Sequence, residues 1–126
     1  MIDPRPGFRD KEHKERFLQA VRITGKLSDR EYCCALYVLT SDLSIWSRAE
    51  SYVSPTGTGI RFDDMLHEIR WSSAIKALLC FTANLFNGVT RSDPIHLMQL
   101  DETHFRIAQE CLRIRYYGVI ESDLVL

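Results

Sequence analysis

The strongest constraint on the fold is the segment SAIKALLCFTANLFN at 73–87, in which Lys76 is the only charged side chain. An α-helix turns about 100° per residue, so the large apolar side chains of this segment cover a wide arc: Ile75, Leu78, Leu79, Phe81, Leu85 and Phe86. A helix that is apolar most of the way round is buried among other elements. The sequence therefore predicts a central helix, begun by Ser72 or Ser73 and ended by Gly88.

A second segment, ETHFRIAQECLRIRYY at 102–117, predicts a helix that Asp101 caps and Gly118 ends. More than half of its circumference is apolar: Phe105, Ile107, Ala108, Cys111, Leu112 and Ile114. The remaining face carries charges of alternating sign at helical spacing, as on a solvated, ion-paired surface: Glu102, Arg106, Glu110 and Arg113. We expect the helices at about 73–87 and 102–117 to pack together, with the others arranged around them.

Caps and breakers divide the rest of the chain into shorter helices. Five boundary signals support three of these helices: Asp10 with Gly25, Ser28 with Glu31 as a capping box, and Asp42. Asp63 is the predicted cap of a short fourth helix, and PIHLMQL is extended or forms a short helical turn. Residues 1–8 form an N-terminal arm, because two prolines and a glycine break regular structure. The prediction is an all-α protein, with a single compact domain of about six helices over 9–126.

Composition restricts the class of protein. Hydrophobic residues make up 45% and charged residues 26% of the chain, which is the balance of a globular protein. A net charge of -1 provides no positive field to attract nucleic acid or acidic lipid. The N-terminus lacks the pattern of a secretory signal, and no apolar run approaches the roughly 20 residues that cross a bilayer. We expect a cytoplasmic protein with reduced cysteines and no membrane partner.

The motif FDDMLHE raises the question of a metal site. Asp63 and His67 are four residues apart, so one helix face could present both side chains to a divalent ion. A zinc-protease helix requires His-Glu-x-x-His, and Trp71 stands where the second histidine is needed. Helix capping by Asp63 is the simpler interpretation, and we predict no metal ligands here.

Three further motifs lack a residue that their chemistry requires. TGTGI has two glycines, without the third glycine and preceding strand of a dinucleotide site or the Gly-Lys of a phosphate loop, so it predicts a turn. The fourth and fifth helices are spaced like a helix-turn-helix, but the second would present apolar side chains to the bases. RIRYYG could contact phosphate and stack a base, yet Arg113 faces Glu110 and tyrosines at a helix end commonly close a core. Nucleic-acid binding is therefore not favoured.

Histidines and cysteines also show no arrangement typical of a site. The histidines at 13, 67, 96 and 104 have no ligand spacing among themselves, and no Gly-x-Ser-x-Gly elbow occurs. Cys80 and Cys111 lie in apolar helices, where a thiol behaves as a small hydrophobe. No motif supplies a nucleophile, a base and an orienting partner. We predict no catalytic, cofactor-binding or metal-binding residues and a protein that is not an enzyme.

The adjacent cysteines of REYCCAL test the packing of the second helix. Cys33 and Cys34 diverge by about 100°, so in a helix they can neither share a metal nor form a disulfide. Cys34 lies nearly opposite the core face that includes Leu36. A buried Cys34 would place neighbours on two sides of this helix, and the second could belong to another subunit. An exposed Cys34 would react with a thiol reagent, leaving Cys80 and Cys111 untouched.

Four segments are distributed over residues 10–118: DKEHKERF, REYCCALYVLTSD, SSAIKALLCFTANLFNG and FRIAQECLRIRYYG. Together they resemble a family of small helical proteins of Firmicutes bacteria and their phages, with NLFNG and IRYYG as the matching helix ends. The resemblance implies a cytoplasmic, bacterial or phage-associated protein. It brings no catalytic residues or cofactors to this sequence.

Two functional interpretations follow. We favour a non-enzymatic helical protein that acts through self-association or a protein partner, because apolar surface exceeds one face per helix. The apolar tail either folds back on the domain or is offered to a partner: Val119, Ile120, Leu124, Val125 and Leu126. The alternative is a small phage-related nucleic-acid-binding or metal-dependent factor, with salt-sensitive binding or stabilisation by a divalent ion through Asp63 and His67.

Leu78 tests the predicted burial of the fifth helix. Burying one leucine is worth about 1.5–3 kcal/mol, and an aspartate in its place would add an unpaired buried charge. We expect Leu78→Asp to unfold the domain, whereas Arg106→Ala on the solvated face leaves urea denaturation almost unchanged. A cooperative, wild-type-like transition in Leu78→Asp would contradict the assignment.

Overall fold

The computed structural model describes residues 7–120 and Leu124. These residues form six α-helices, numbered in order: α1 Lys11–Thr24, α2 Arg30–Leu39, α3 Leu43–Ala49, α4 Phe62–Glu68, α5 Ser73–Asn87 and α6 Glu102–Tyr117. Two short 3₁₀ helices complete the framework: Glu50–Tyr52 and Pro94–Gln99. Within this described part, β pairing is limited to one isolated bridge between Val53 and Ile60. The all-α prediction is confirmed.

The helix enclosed on all sides is α2. Every residue from Tyr32 to Leu39 exposes at most 6% of its surface. α5 and α6 contact each other as predicted, and both pack on α2, while α1 covers a further part of it. α5 is less enclosed than its composition suggests, because Cys80, Phe81 and Leu85 are only partly buried.

Helix starts follow the predicted caps with two exceptions. Four predicted cap side chains accept a hydrogen bond from the backbone of the first turn: Asp10, Asp42, Ser72 and Asp101. The prediction of Ser28 is wrong, because Asp29 caps α2 by accepting from the backbone N–H of Tyr32 at 3.0 Å. The prediction of Asp63 is also wrong. It lies inside the first turn of α4, where its charge suits the positive helix end, and Arg61 occupies the cap position without a side-chain bond.

The described N-terminal segment begins at Gly7 and is fastened to the helices. The Tyr37 hydroxyl donates a hydrogen bond to the Gly7 carbonyl, and the ring of Phe8 lies 5.7 Å from the ring of Tyr37. The last two residues of the predicted arm, 1–8, therefore pack on the domain. Residues 1–6 lie outside the described residues.

His13 is a fully buried polar residue between α1 and α2. Its Nδ1 accepts from the backbone N–H of Arg9 at 3.0 Å, and its Nε2 lies 2.8 Å from the carbonyl oxygen of Tyr37. A carbonyl only accepts, so Nε2 carries the proton and the ring is neutral. Burial is the main cause that lowers the pKa of His13 to about 4.

The neutral ring makes stability depend on pH. In the unfolded chain His13 has an ordinary pKa near 6.5, so the unfolded state binds more protons between pH 6.5 and about 4. Stability is therefore full above pH 6.5 and falls by roughly 3 kcal/mol by about pH 4. Urea denaturation of wild type and His13→Gln at several pH values measures this, because glutamine cannot take up the proton. We expect the variant to be less stable at pH 7 but to lose less on acidification. Parallel losses in both proteins would contradict the assignment, and the exposed His67→Gln serves as the control.

Candidate functional site

The two residues considered for a metal site lie on the same helix. Asp63 and His67 are both exposed on α4, and the carboxylate of neighbouring Asp64 pairs with Arg61 at 3.1 Å. Among the described residues, no group of three or more His, Cys, Asp or Glu side chains is arranged to hold a metal ion. Metal binding by Asp63 and His67 gains no support from this geometry.

The segment TGTG forms a turn, as predicted. Gly59 accepts a hydrogen bond from the backbone of Ser54 at 3.0 Å, which closes the loop beside the Val53–Ile60 bridge. Gly57 has a φ of +72°, and a Cβ there would lie 2.6 Å from the carbonyl oxygen of Thr24. Only glycine fits this close approach to the end of α1, so these glycines have a structural reason.

The basic residues of RIRYYG are engaged within the protein. Arg113 pairs with Glu110 at 2.7 Å, as the sequence predicted. Arg115 Nε donates to the carbonyl oxygen of Leu85 at 2.9 Å, and its guanidinium lies 3.4 Å from Glu31. These contacts fasten α6 to α5 and α2. The two tyrosines that follow, by contrast, are exposed.

Sequence reasoning missed a charged cluster around His104. Its Nδ1 lies 2.9 Å from Asp101, and its Nε2 lies 3.5 Å from Asp42. Arg9 approaches the same Asp42 carboxylate at 3.4 Å. Burial opposes ionisation of Asp42, but hydrogen bonds from Ser44 and the charges of Arg9 and His104 outweigh it and lower the pKa. The cluster joins the N-terminal segment, the start of α3 and the start of α6. The three-residue spacing of Asp101 and His104 could have indicated the contact between these two side chains, but not the contacts with Asp42.

The adjacent cysteines are fully buried and point apart. The Cys33 thiol donates to the carbonyl of Leu27 at 3.2 Å, whereas the Cys34 thiol donates to the carbonyl of Glu31 at 3.2 Å. Burial raises the pKa of Cys33 to about 12. The neighbour on the Cys34 side is α6 of the same chain, whose Cys111 thiol lies 3.6 Å from the Cys34 carbonyl oxygen. No second subunit is needed to cover Cys34.

Among the four cysteines, Cys80 alone is partly exposed. It lies on the outer side of α5, one turn after Lys76, and lines a groove between α5 and the 3₁₀ helix Pro94–Gln99. The prediction that a thiol in an apolar helix acts as a core hydrophobe holds for Cys111 of α6 but is wrong for Cys80 of α5. The reason is that the core faces of α5 turn toward α2.

The C-terminal tail folds back at Leu124, which is 4% exposed and part of the core. Val119 is partly buried against the same core, while Ile120 remains exposed. Val125 and Leu126, which belong to the tail identified in the sequence, lie outside the described residues. The described part of the tail is therefore mainly an internal packing element.

Exposed apolar side chains concentrate in the last third of the chain. Elsewhere in the described part of the chain, two large hydrophobic residues are highly exposed, Ile23 and Leu43. Seven occur between residues 89 and 120: Val89, Ile95, Met98, Leu112, Tyr116, Tyr117 and Ile120. Isolated exposed hydrophobes are ordinary, but several on one helix face indicate a contact surface.

Two of these side chains, Leu112 and Tyr116, belong to a regular stripe along α6. We call it the α6 seam: Phe105, Gln109, Leu112 and Tyr116. The spacing of 4, 3 and 4 residues is that of alternating d and a positions of a heptad, which keeps side chains on one line of a helix. Leu112 is 52% and Tyr116 73% exposed. The seam contains no charge, and Gln109 is its one strongly polar position.

No known protein family, curated protein or solved structure matches the chain. The resemblance to small helical proteins of Firmicutes bacteria and their phages therefore stays a prediction. No helix in the described part of the chain is long and apolar enough to cross a membrane. Among the described residues, the α6 seam and the groove beside Cys80 are two candidate surfaces for contacts with other molecules.

Thiol labelling tests this distribution of cysteines. We expect iodoacetamide to alkylate Cys80 in the native protein, because it alone of the four is accessible. Burial raises the pKa of Cys80, although Lys76 opposes the shift, so the reaction should be slow at pH 7 and faster at pH 9. Peptide mass spectrometry should find the other cysteines modified only after denaturation, and Cys80→Ala should show no native adduct. Native labelling of Cys34 or Cys111 would contradict the packing of α2.

Proposed function

We propose that this protein is a non-enzymatic helical interaction protein that associates with a second copy of itself through the α6 seam. The observation that supports the proposal is the uncharged, heptad-spaced stripe on a helix that the fold already holds in place. Leu112 provides the apolar centre and Tyr116 a large amphipathic side chain, the residue types that favour interfaces.

Charges around the seam permit this pairing. Arg106 pairs with Glu102 at 2.8 Å, and Arg113 pairs with Glu110 at 2.7 Å. Covering the seam would therefore desolvate these four charges as pairs, which avoids the usual penalty of an unpaired charge at an interface. The net charge of -1 also produces little repulsion between two identical chains.

The size of the seam sets the expected strength. α6 has 16 residues and is therefore about 24 Å long. Two such helices bury less than the roughly 800 Å² per partner of a standard interface. We therefore expect a weak, concentration-dependent dimer with a Kd on the order of micromolar. Gln109, as the polar member of the stripe, would fix the register at some loss of affinity.

A nucleic-acid-binding or metal-dependent role has less support. The arginines of RIRYYG are held by Glu110, Glu31 and the carbonyl of Leu85, so they are not free to meet phosphate. The aromatic side chains beside them fit a protein interface equally well.

Sedimentation velocity over a range of concentrations tests the proposal. Wild type should shift from monomer to dimer as concentration rises, and Leu112→Glu should remain a monomer because it places a charge in the seam. Gln109→Leu should strengthen the dimer by extending the apolar stripe.

Thr103→Glu is the matched control, since it adds the same charge to an exposed position of α6 outside the seam. It should dimerise like wild type, and circular dichroism should confirm that every variant is folded. A wild-type protein that is monomeric at all concentrations would refute self-association. A dimer that persists in Leu112→Glu would place the interface elsewhere.

A further inference from the structure

A groove of about 380 Å³ lies between the outer side of α5 and the residues that lead into α6. Ala77 and Cys80 provide its apolar lining, and both are partly buried. The hydroxyl of Ser73 donates to the side-chain carbonyl of Gln99 at 3.0 Å, which links the two walls at one end. The volume falls in the range of small-molecule sites, about 300–1,000 Å³.

Cationic side chains surround this lining. Lys76 projects from α5, Arg91 and His96 line the opposite wall, and Lys76 has no carboxylate partner among the described residues. Asp93 is the one acidic residue of the lining, and it is 3.7 Å from Arg91. Two permanent cations and one carboxylate leave a local positive charge. The net charge of the chain is negative, so the local charge of the groove has the opposite sign.

We propose that this groove binds a small-molecule carboxylate with an apolar body, placing the carboxylate beside Lys76 and Arg91 and the body over Ala77. The combination of cations with an apolar lining favours such a ligand over a neutral molecule, which gains no charge interaction. The same combination favours this ligand over a small inorganic anion, which leaves the apolar lining uncovered. The site shares no residue with the α6 seam, so it is independent of the proposed self-association.

Cys80 supplies a built-in reporter for occupancy of the groove. Its thiolate displaces iodide from iodoacetamide, forming an S–C bond while the thiol proton passes to the buffer. A ligand lying over the lining blocks the approach of the reagent, so binding appears as a slower alkylation of Cys80. Comparing rates with and without ligand in the same variant cancels any change in the reactivity of the thiol itself.

Benzoate, benzamide and acetate make a matched set of probes. A ligand of benzoate's size in a shallow groove should have a Kd on the order of 1 mM, and at that concentration alkylation should fall to about half. Benzamide has the same ring without the charge, and acetate has the charge without the ring. Both should protect Cys80 much less. Saturation-transfer NMR on the benzoate signals measures the same binding without relying on Cys80.

Lys76→Gln separates a specific site from general shielding. It should weaken both benzoate protection and saturation transfer, whereas Lys11→Gln, an exposed lysine on α1, should leave both at the wild-type level. Equal protection by benzamide, unchanged protection in Lys76→Gln, or no saturation transfer from benzoate would each overturn the proposal.

Discussion

The burial of α2 is the constraint on which the rest of the structure depends. This helix has only ten residues, and isolated helices shorter than about 12–15 residues are marginal in water. It therefore forms because α1, α5 and α6 cover it. The two buried hydroxyls that directly follow it are satisfied locally, since those of Thr40 and Ser41 donate to the carbonyls of Leu36 and Val38 at 2.6 Å each. A buried helix can thus contain thiols and hydroxyls at little cost.

The covering of α2 explains where unpaired apolar surface is left. α5 and α6 turn their most apolar faces toward the same small helix, so their outer edges cannot also be enclosed by so short a chain. On α6 this leaves Leu112 and Tyr116 exposed, and on α5 it leaves Cys80 beside the groove. Both candidate surfaces are therefore consequences of one packing arrangement, and neither comes from a recognisable sequence motif.

Helical periodicity and local capping made most of the fold predictable. Caps such as Asp42 and Ser72 act within their own first turn, so neighbouring residues contain the information. The enclosure of α2 was not predictable in this way, because it depends on helices that are distant in sequence. Cys34 illustrates this, since its neighbour Cys111 lies 77 residues away. The contact between His104 and Asp42 was missed for the same reason.

The candidate surfaces were harder to predict, because whether an apolar side chain stays exposed depends on how the whole chain packs. The sequence correctly indicated more apolar residues than one face per helix requires, but it could not say which of them the chain would cover itself. In the structure Cys34 and Leu124 are buried in the core, whereas Leu112 and Tyr116 of the α6 seam are exposed. An exposed apolar surface does not stabilise the monomer. Its simplest physical explanation is that a partner covers it. That reasoning favours an interaction surface, since the seam already has the spacing of a helix-pairing surface.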